Sequence, residues 1–175
     1  MRRRIIMAVL ILVCFLLQST VFQWLSIGSI TPNLLLILTV SFGLMRGKSS
    51  GLWTGFFCGI LIDLFYGQLI GFYALIYMMA GYFTGFCYKI FYDEDIKVPM
   101  VLVAASDLIY NILIYGALFL LRGRLDFLYY LRRIIIPEIL YTVLLTLLLY
   151  RLFFRINQRL QEKEIKERES IWLRK

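Results

Sequence analysis

Long uncharged stretches, broken by short charged or glycine-rich segments, set the organisation of this chain. No Asp, Glu, Lys or Arg lies between Arg4 and Arg46. Residues 49–88 contain one charged side chain, Asp63, and residues 98–121 contain one, Asp107. A membrane-crossing helix needs about 20 mostly apolar residues. The pattern predicts helical spans at residues 5–25, 34–45, 51–66, 72–90, 100–121 and 134–150. The breaks between them carry turn and loop residues: Gly28, Ser29, Thr31, Pro32 and Asn33; then Arg46, Gly47, Lys48, Ser49 and Ser50; then residues 67–71. A polar loop with Asp93, Glu94, Asp95 and Lys97 follows, and Arg122, Gly123, Arg124 and Asp126 form the last break. The second and third spans are short for a hydrocarbon core about 30 Å thick, so the bilayer thins there or the boundaries shift, and five spans is the alternative count. The first span follows three arginines, as in a secretory leader, but no small-residue cleavage site follows and apolar character resumes at Val21, Phe22, Trp24 and Leu25. An uncleaved span is therefore expected.

Composition narrows the class. The 175 residues are 61% apolar and 17% charged, with a mean hydropathy of +0.80. Soluble domains run at roughly 45–50% apolar and about 25% charged. The expected fold is all-α: a polytopic transmembrane helix bundle of about six spans over residues 1–154, followed by a charged cytoplasmic helix or tail at 155–175. The chain has no His, which removes the commonest metal ligand and the usual general base near neutral pH. Cys14, Cys58 and Cys87 sit far apart inside apolar runs, without the spacing of a zinc site, and read as buried thiols. No phosphate-cradling glycine loop and no nucleophile–base arrangement is present. No enzyme activity, cofactor, metal or nucleic-acid partner is expected.

The charge that exists is placed asymmetrically. With six spans, fifteen of the 19 Lys and Arg fall on one side, with the N-terminus, the loops at 46–50 and 89–99, and the tail. Positive charge collects on the cytoplasmic side, so both termini are expected there. The third external loop departs from the rule with Arg122, Arg124, Arg132 and Arg133, interleaved with Leu125, Phe127, Leu128, Tyr129 and Tyr130. It reads either as a segment lying on the membrane surface or simply as the ends of two helices. The tail carries Glu162–Lys166 and Glu164–Arg168 pairs at helical spacing and ends in Trp172 and Leu173. Contact with anionic lipid and docking onto a cytoplasmic partner both fit it.

Two sets of residues stand out against the apolar background. Gly51, Gly55 and Gly59 recur every four residues and Asp63 falls on the same step, with Gly43 and Gly47 before it and Gly67 and Gly71 after it. In lipid the hydrophobic effect does not draw helices together, so close backbone approach must do so. The third span is thus expected to be the most tightly packed, against its neighbours or a partner, and Gly81 and Gly85 make the fourth span its natural mate. Asp63, Asp107 and Glu138 are the acids in or near the apolar zone, and each costs energy to insert. Tyr110 and Asn111 share a helix face with Asp107, which points to a polar cluster. Arg132 and Arg133 are candidate partners for Glu138 or Asp63. Each acid stays open to two roles, an interhelical bond or a ligand for an ion or substrate.

Taken together, Thr31-Pro32-Asn33-Leu34-Leu35-Leu36, Arg46-Gly47, and Gly51, Gly55-Phe56, Gly59, Asp63 and Gly71 resemble the bacterial rod-shape-determining MreD family. The resemblance is sharpest over residues 32–85. It implies a non-enzymatic integral subunit of the cell-elongation machinery in the bacterial cytoplasmic membrane. Such a subunit pairs with MreC and, through it, connects MreB filaments with the peptidoglycan synthases RodA and a penicillin-binding protein. The family is also similar in architecture to the substrate-binding subunits of vitamin transporters, which supplies the alternative reading: a small-molecule carrier, with a cavity lined by Asp63, Asp107 and Asn111. Those subunits carry a small-residue pair on the first helix, whereas here Ala8 is followed four residues later by Leu12.

Overall fold

A computed structural model describes residues 2–25, 30–67, 69–89, 96–122 and 127–172. Gly28 and Ser29 of the first turn, the acids at 93–95, Gly123, Arg124, Leu125 and Asp126, and Leu173 lie outside the described residues. Six principal helices account for most of the chain. They are α1 (Arg2–Leu16), α2 (Leu34–Arg46), α3 (Lys48–Phe65), α4 (Phe72–Thr84), α5 (Lys97–Arg122) and α6 (Ile136–Trp172). No strand forms among the described residues, and the fold is an all-α bundle.

Helix α1 continues through a π turn at Leu17–Val21 to Trp24. A 3₁₀ turn at Gly85–Lys89 extends α4. A short helix at Phe127–Tyr130 and a π turn at Leu131–Ile135 lead into α6. Three stretches are long and apolar enough to cross a membrane: Arg4–Trp24, Lys97–Ala117 and Leu128–Lys163. The 13 residues of α2 rise only about 20 Å at 1.5 Å per residue, short of a core about 30 Å thick. The last helix is also longer than its apolar part. It runs 37 residues without a break, and Asn157 and Leu160 are still buried within it.

The glycine step marks α3 as the most tightly packed helix with α4 as its mate, and the two do pack most closely; the centre of the bundle, however, is α2. Every residue from Leu34 to Met45 is buried, and α2 touches all five other helices. Around it, α3 and α4 form a closely packed hairpin, α5 lies beside α6, and α1 lies across α2 and α3. Outward faces are apolar, with Leu64, Leu75, Phe83, Leu140, Leu144 and Leu148 among the exposed side chains. That inversion of a soluble protein's surface fits lipid contact.

Candidate functional site

The α3–α4 hairpin is held by main chain against main chain. A Cβ added at Gly51 would fall under 3.0 Å from the Gly81 carbonyl and the Gly43 Cα; at Gly55 it would meet the Tyr77 carbonyl, and at Gly59 the Ala74 backbone. On the other helix, a Cβ at Gly81 would strike the Gly51 carbonyl, and one at Gly85 the backbone of Lys48. Gly43 of α2 meets Gly81 in the same way, so three helices converge where Gly43, Gly51 and Gly81 meet. The five glycines at 51, 55, 59, 81 and 85 therefore face each other's helices inside the chain. Gly47, at φ 86°, makes the turn from α2 into α3, its N–H bonded to the Gly43 carbonyl at 2.8 Å. Left-handed φ of that kind suits glycine.

Asp63 closes the other end of the hairpin. Its carboxylate accepts the N–H groups of Gly71, Tyr73 and Ala74 at 2.9, 3.0 and 3.0 Å. These are among the first amides of α4, which have no partner within their own helix. Gly71, at φ 100°, is the cap residue and has no side chain to do this work. An acid from the preceding helix thus caps the next one, where the helix dipole also favours negative charge. Among the described residues no ion pair joins Arg132 or Arg133 to Asp63 or Glu138. Arg133 instead donates to the Tyr129 hydroxyl at 2.8 Å.

A second polar group surrounds the start of α2. Pro32 and Asn33 are both buried there. The Asn33 side-chain oxygen accepts from the Leu36 N–H at 3.2 Å and from the Tyr77 hydroxyl at 2.6 Å. The Asn33 N–H donates to the Thr142 hydroxyl oxygen at 3.3 Å, and the Gln18 side chain accepts from the Leu35 N–H at 3.1 Å. Asp107 is fully buried beside this group. Asn33 and Thr142 approach its carboxyl, but neither reaches hydrogen-bonding geometry, so both carboxyl oxygens are buried without a partner. Asn111 donates to the Asp107 main-chain carbonyl at 3.1 Å and its side chain also approaches Glu138. Asp107, Asn111 and Glu138 are therefore brought together, while Asp63 is separately engaged.

At the opposite end of α2, the Arg46 Nε donates to the Asn157 side-chain oxygen of α6. Gln18, Tyr77, Thr142 and Asn157 carry these networks without standing out in the sequence. Polar residues inside an apolar run are the only sign of the first three, and Asn157 is hidden among the charges of the tail. Cavities border the bundle, two of them among the described residues. One of about 990 Å³ opens between α1 and α3, and one of about 180 Å³ lies around Gln18, Gln23 and Tyr110. Neither is lined by Asp63, Asp107 or Asn111. No group of three or more His, Cys, Asp or Glu among the described residues is placed to hold a metal.

The arrangement is one of structural bonds: glycine faces, a cap and buried polar ties, built within a membrane bundle. No significant match to a curated protein or to a solved structure accompanies it. The family of rod shape-determining protein MreD matches residues 2–160, most of the 175 in the chain, and the chain belongs to that family of membrane proteins.

Proposed function

We propose that this chain is a non-enzymatic scaffold subunit of the bacterial cell-elongation complex, pairing with MreC in the cytoplasmic membrane. Family membership over residues 2–160 carries the proposal. Through MreC the subunit connects indirectly with MreB, RodA and a penicillin-binding protein. In this reading residues 1–154 are the membrane bundle, both termini are cytoplasmic, and residues 155–175 form a charged cytoplasmic helix. The polar side chains support a structural role, since Asp63, Asn33 and Tyr77 are engaged in caps and interhelical bonds. Helices α3 and α4 present apolar outer faces, with Leu64, Leu75 and Phe83 exposed, and these are the surfaces we assign to the partner. The two cavities described above are not lined by Asp63, Asp107 or Asn111, so neither supports the carrier alternative.

Co-purification in mild detergent tests the proposal. The full chain should bring down MreC, and Gly59→Leu, which wedges α3 away from the Ala74 backbone, should lose MreC and round the cells. Purification of the folded wild-type chain free of MreC from cells that express both would overturn it, as would a Gly59→Leu strain that keeps the complex and the rod.

A further inference from the structure

The cavity of about 990 Å³ between α1 and α3 has a polarity that the scaffold reading does not use. Its volume is at the top of the range for ligand clefts, about 300–1,000 Å³. Arg4, Arg46, Ser49 and Ser50 line it together with apolar side chains that include Ala8, Leu12, Trp53 and Phe57. No acidic residue is among its lining. The two helices run in the same direction, because the Phe15 ring sits 5.0 Å from Phe65 and 6.3 Å from Tyr66 near their far ends. Arg4 and Ser49, each at the start of its helix, are therefore at the same end, and Arg46 joins them from the end of α2. The aromatic contact closes the opposite end. The walls are open to the side, with Leu12, Trp53 and Phe57 each about half exposed. The result is a lipid-facing slot, cationic and hydroxyl-bearing at one end and apolar along the rest.

We propose that this slot is a binding site for one anionic phospholipid, its phosphate held by Arg4 and the Ser49 and Ser50 hydroxyls beside the charge of Arg46, and its acyl chains lying along Ala8, Leu12, Trp53 and Phe57. Guanidinium groups bind phosphate oxygens through charge-assisted, often bidentate hydrogen bonds. The charge order in the slot matches the order of groups in a phospholipid. An apolar helix of a partner protein would need an acid of its own at the depth of the arginines, whereas an anionic lipid brings that charge wherever it meets the slot. The inference does not depend on the scaffold reading.

Trp53 lines the slot and Trp24 is almost fully exposed elsewhere, so tryptophan quenching reads the site directly. The full chain carrying Trp24→Phe and Trp172→Phe is reconstituted in phosphatidylcholine vesicles. Phosphatidylglycerol brominated on its acyl chains is added, and in a parallel sample brominated phosphatidylcholine at the same mole fraction. Trp53 should report a preference of about fivefold for the anionic lipid, the size expected for roughly one effective basic contact. Arg4→Gln should reduce that preference at least twofold, and Arg4→Lys should retain most of it. A second protein with Trp24 alone should show equal quenching by both lipids. Equal quenching of Trp53, or an unchanged preference in Arg4→Gln, would overturn the site. Shielding of Trp53 from both lipids would also overturn it, by placing protein in the slot.

Discussion

Replacing Asp63 removes the cap of a helix that has no other. The side chain is 2% exposed and takes three main-chain donors at 2.9–3.0 Å. In Asp63→Ala those donors lose their acceptor. The Ala74 amide is buried and Tyr73 half-buried, while Gly71 is exposed and regains water. Leaving a buried donor unsatisfied costs about 1–3 kcal/mol, more when the lost acceptor is charged. Two such losses and a weakened third give about 3–5 kcal/mol. For a chain of this size each kcal/mol moves the melting temperature by about 2–4 °C, so Asp63→Ala should melt about 10 °C below the parent. Asp63→Asn keeps one acceptor oxygen and should fall between the two. The buried thiols of Cys14 and Cys58 supply the assay. A maleimide dye that fluoresces on reaction reports unfolding in detergent, in a Cys87→Ser background that removes the half-buried thiol. An Asp63→Ala protein melting within about 2 °C of its parent would refute the cap as a stabilising element.

Three glycines separate steric from conformational effects in the same assay. Gly51→Ala puts a Cβ into the Gly81 carbonyl and should lower the melting temperature most; Gly71→Ala meets nothing within 4 Å but sits at φ 100°, and should cost about 1–2 kcal/mol of backbone strain; Gly116→Ala, open and in mid-helix, should be neutral or stabilising by up to about 1 kcal/mol. At the start of α2, Tyr77→Phe should cost about 1 kcal/mol for one bond. Asn33→Ala, which also strips the cap from Leu36, should cost about 2–4 kcal/mol by the same reasoning; equal melting of the two variants would argue against Asn33 as the hub. Asn157→Leu removes the acceptor for Arg46 and should cost about 2–3 kcal/mol, since the donor of that bond is charged. Limited proteolysis should then cut the end of α6 faster than in the parent, and unchanged cleavage would show that this bond does not pin the helix.

The helices were legible because their breaks are chemically marked. Gly47 and Gly71, the two described glycines with left-handed φ, stand at turns that the sequence already indicates. The four-residue glycine step was legible for a related reason, since only small side chains permit main-chain contact and their spacing follows from helix geometry. Which helix lies at the centre was not legible. Leu34 to Met45 is uncharged and apolar but for Thr39 and Ser41, and in a bilayer that describes a lipid-facing helix as well as a buried one, because lipid tails and a protein core are equally apolar. Asp63 was legible in part. An acid near the end of an apolar helix points to an interhelical bond or a ligand, and an interhelical bond forms, but its partners are main-chain amides, which no residue pattern displays. They come into reach only once Gly71 takes its φ of 100° and turns the chain back.

The short central helix explains where the polar residues had to go. Being about 20 Å long, α2 cannot place both of its ends at the faces of a core about 30 Å thick. Its start is buried in the bundle, at Pro32, Asn33 and Leu34, and a buried unpaired amide there costs several kcal/mol. The first amides of α2 are each supplied with an acceptor. Leu34 bonds the Pro32 carbonyl at 3.2 Å and Ile37 the Asn33 carbonyl at 3.2 Å. Leu35 takes Gln18 from α1, and Leu36 takes the Asn33 side chain. Thr142 of α6 accepts the N–H of Asn33 itself, and Tyr77 of α4 fixes the Asn33 side chain. Satisfying one helix end thus requires α1, α4 and α6 to be present together and in register. Apolar packing alone could not specify that arrangement in lipid, where sliding one greasy face past another changes little. The directional bonds at Asn33 do specify it, and they fix how α1, α2, α4 and α6 stand against one another.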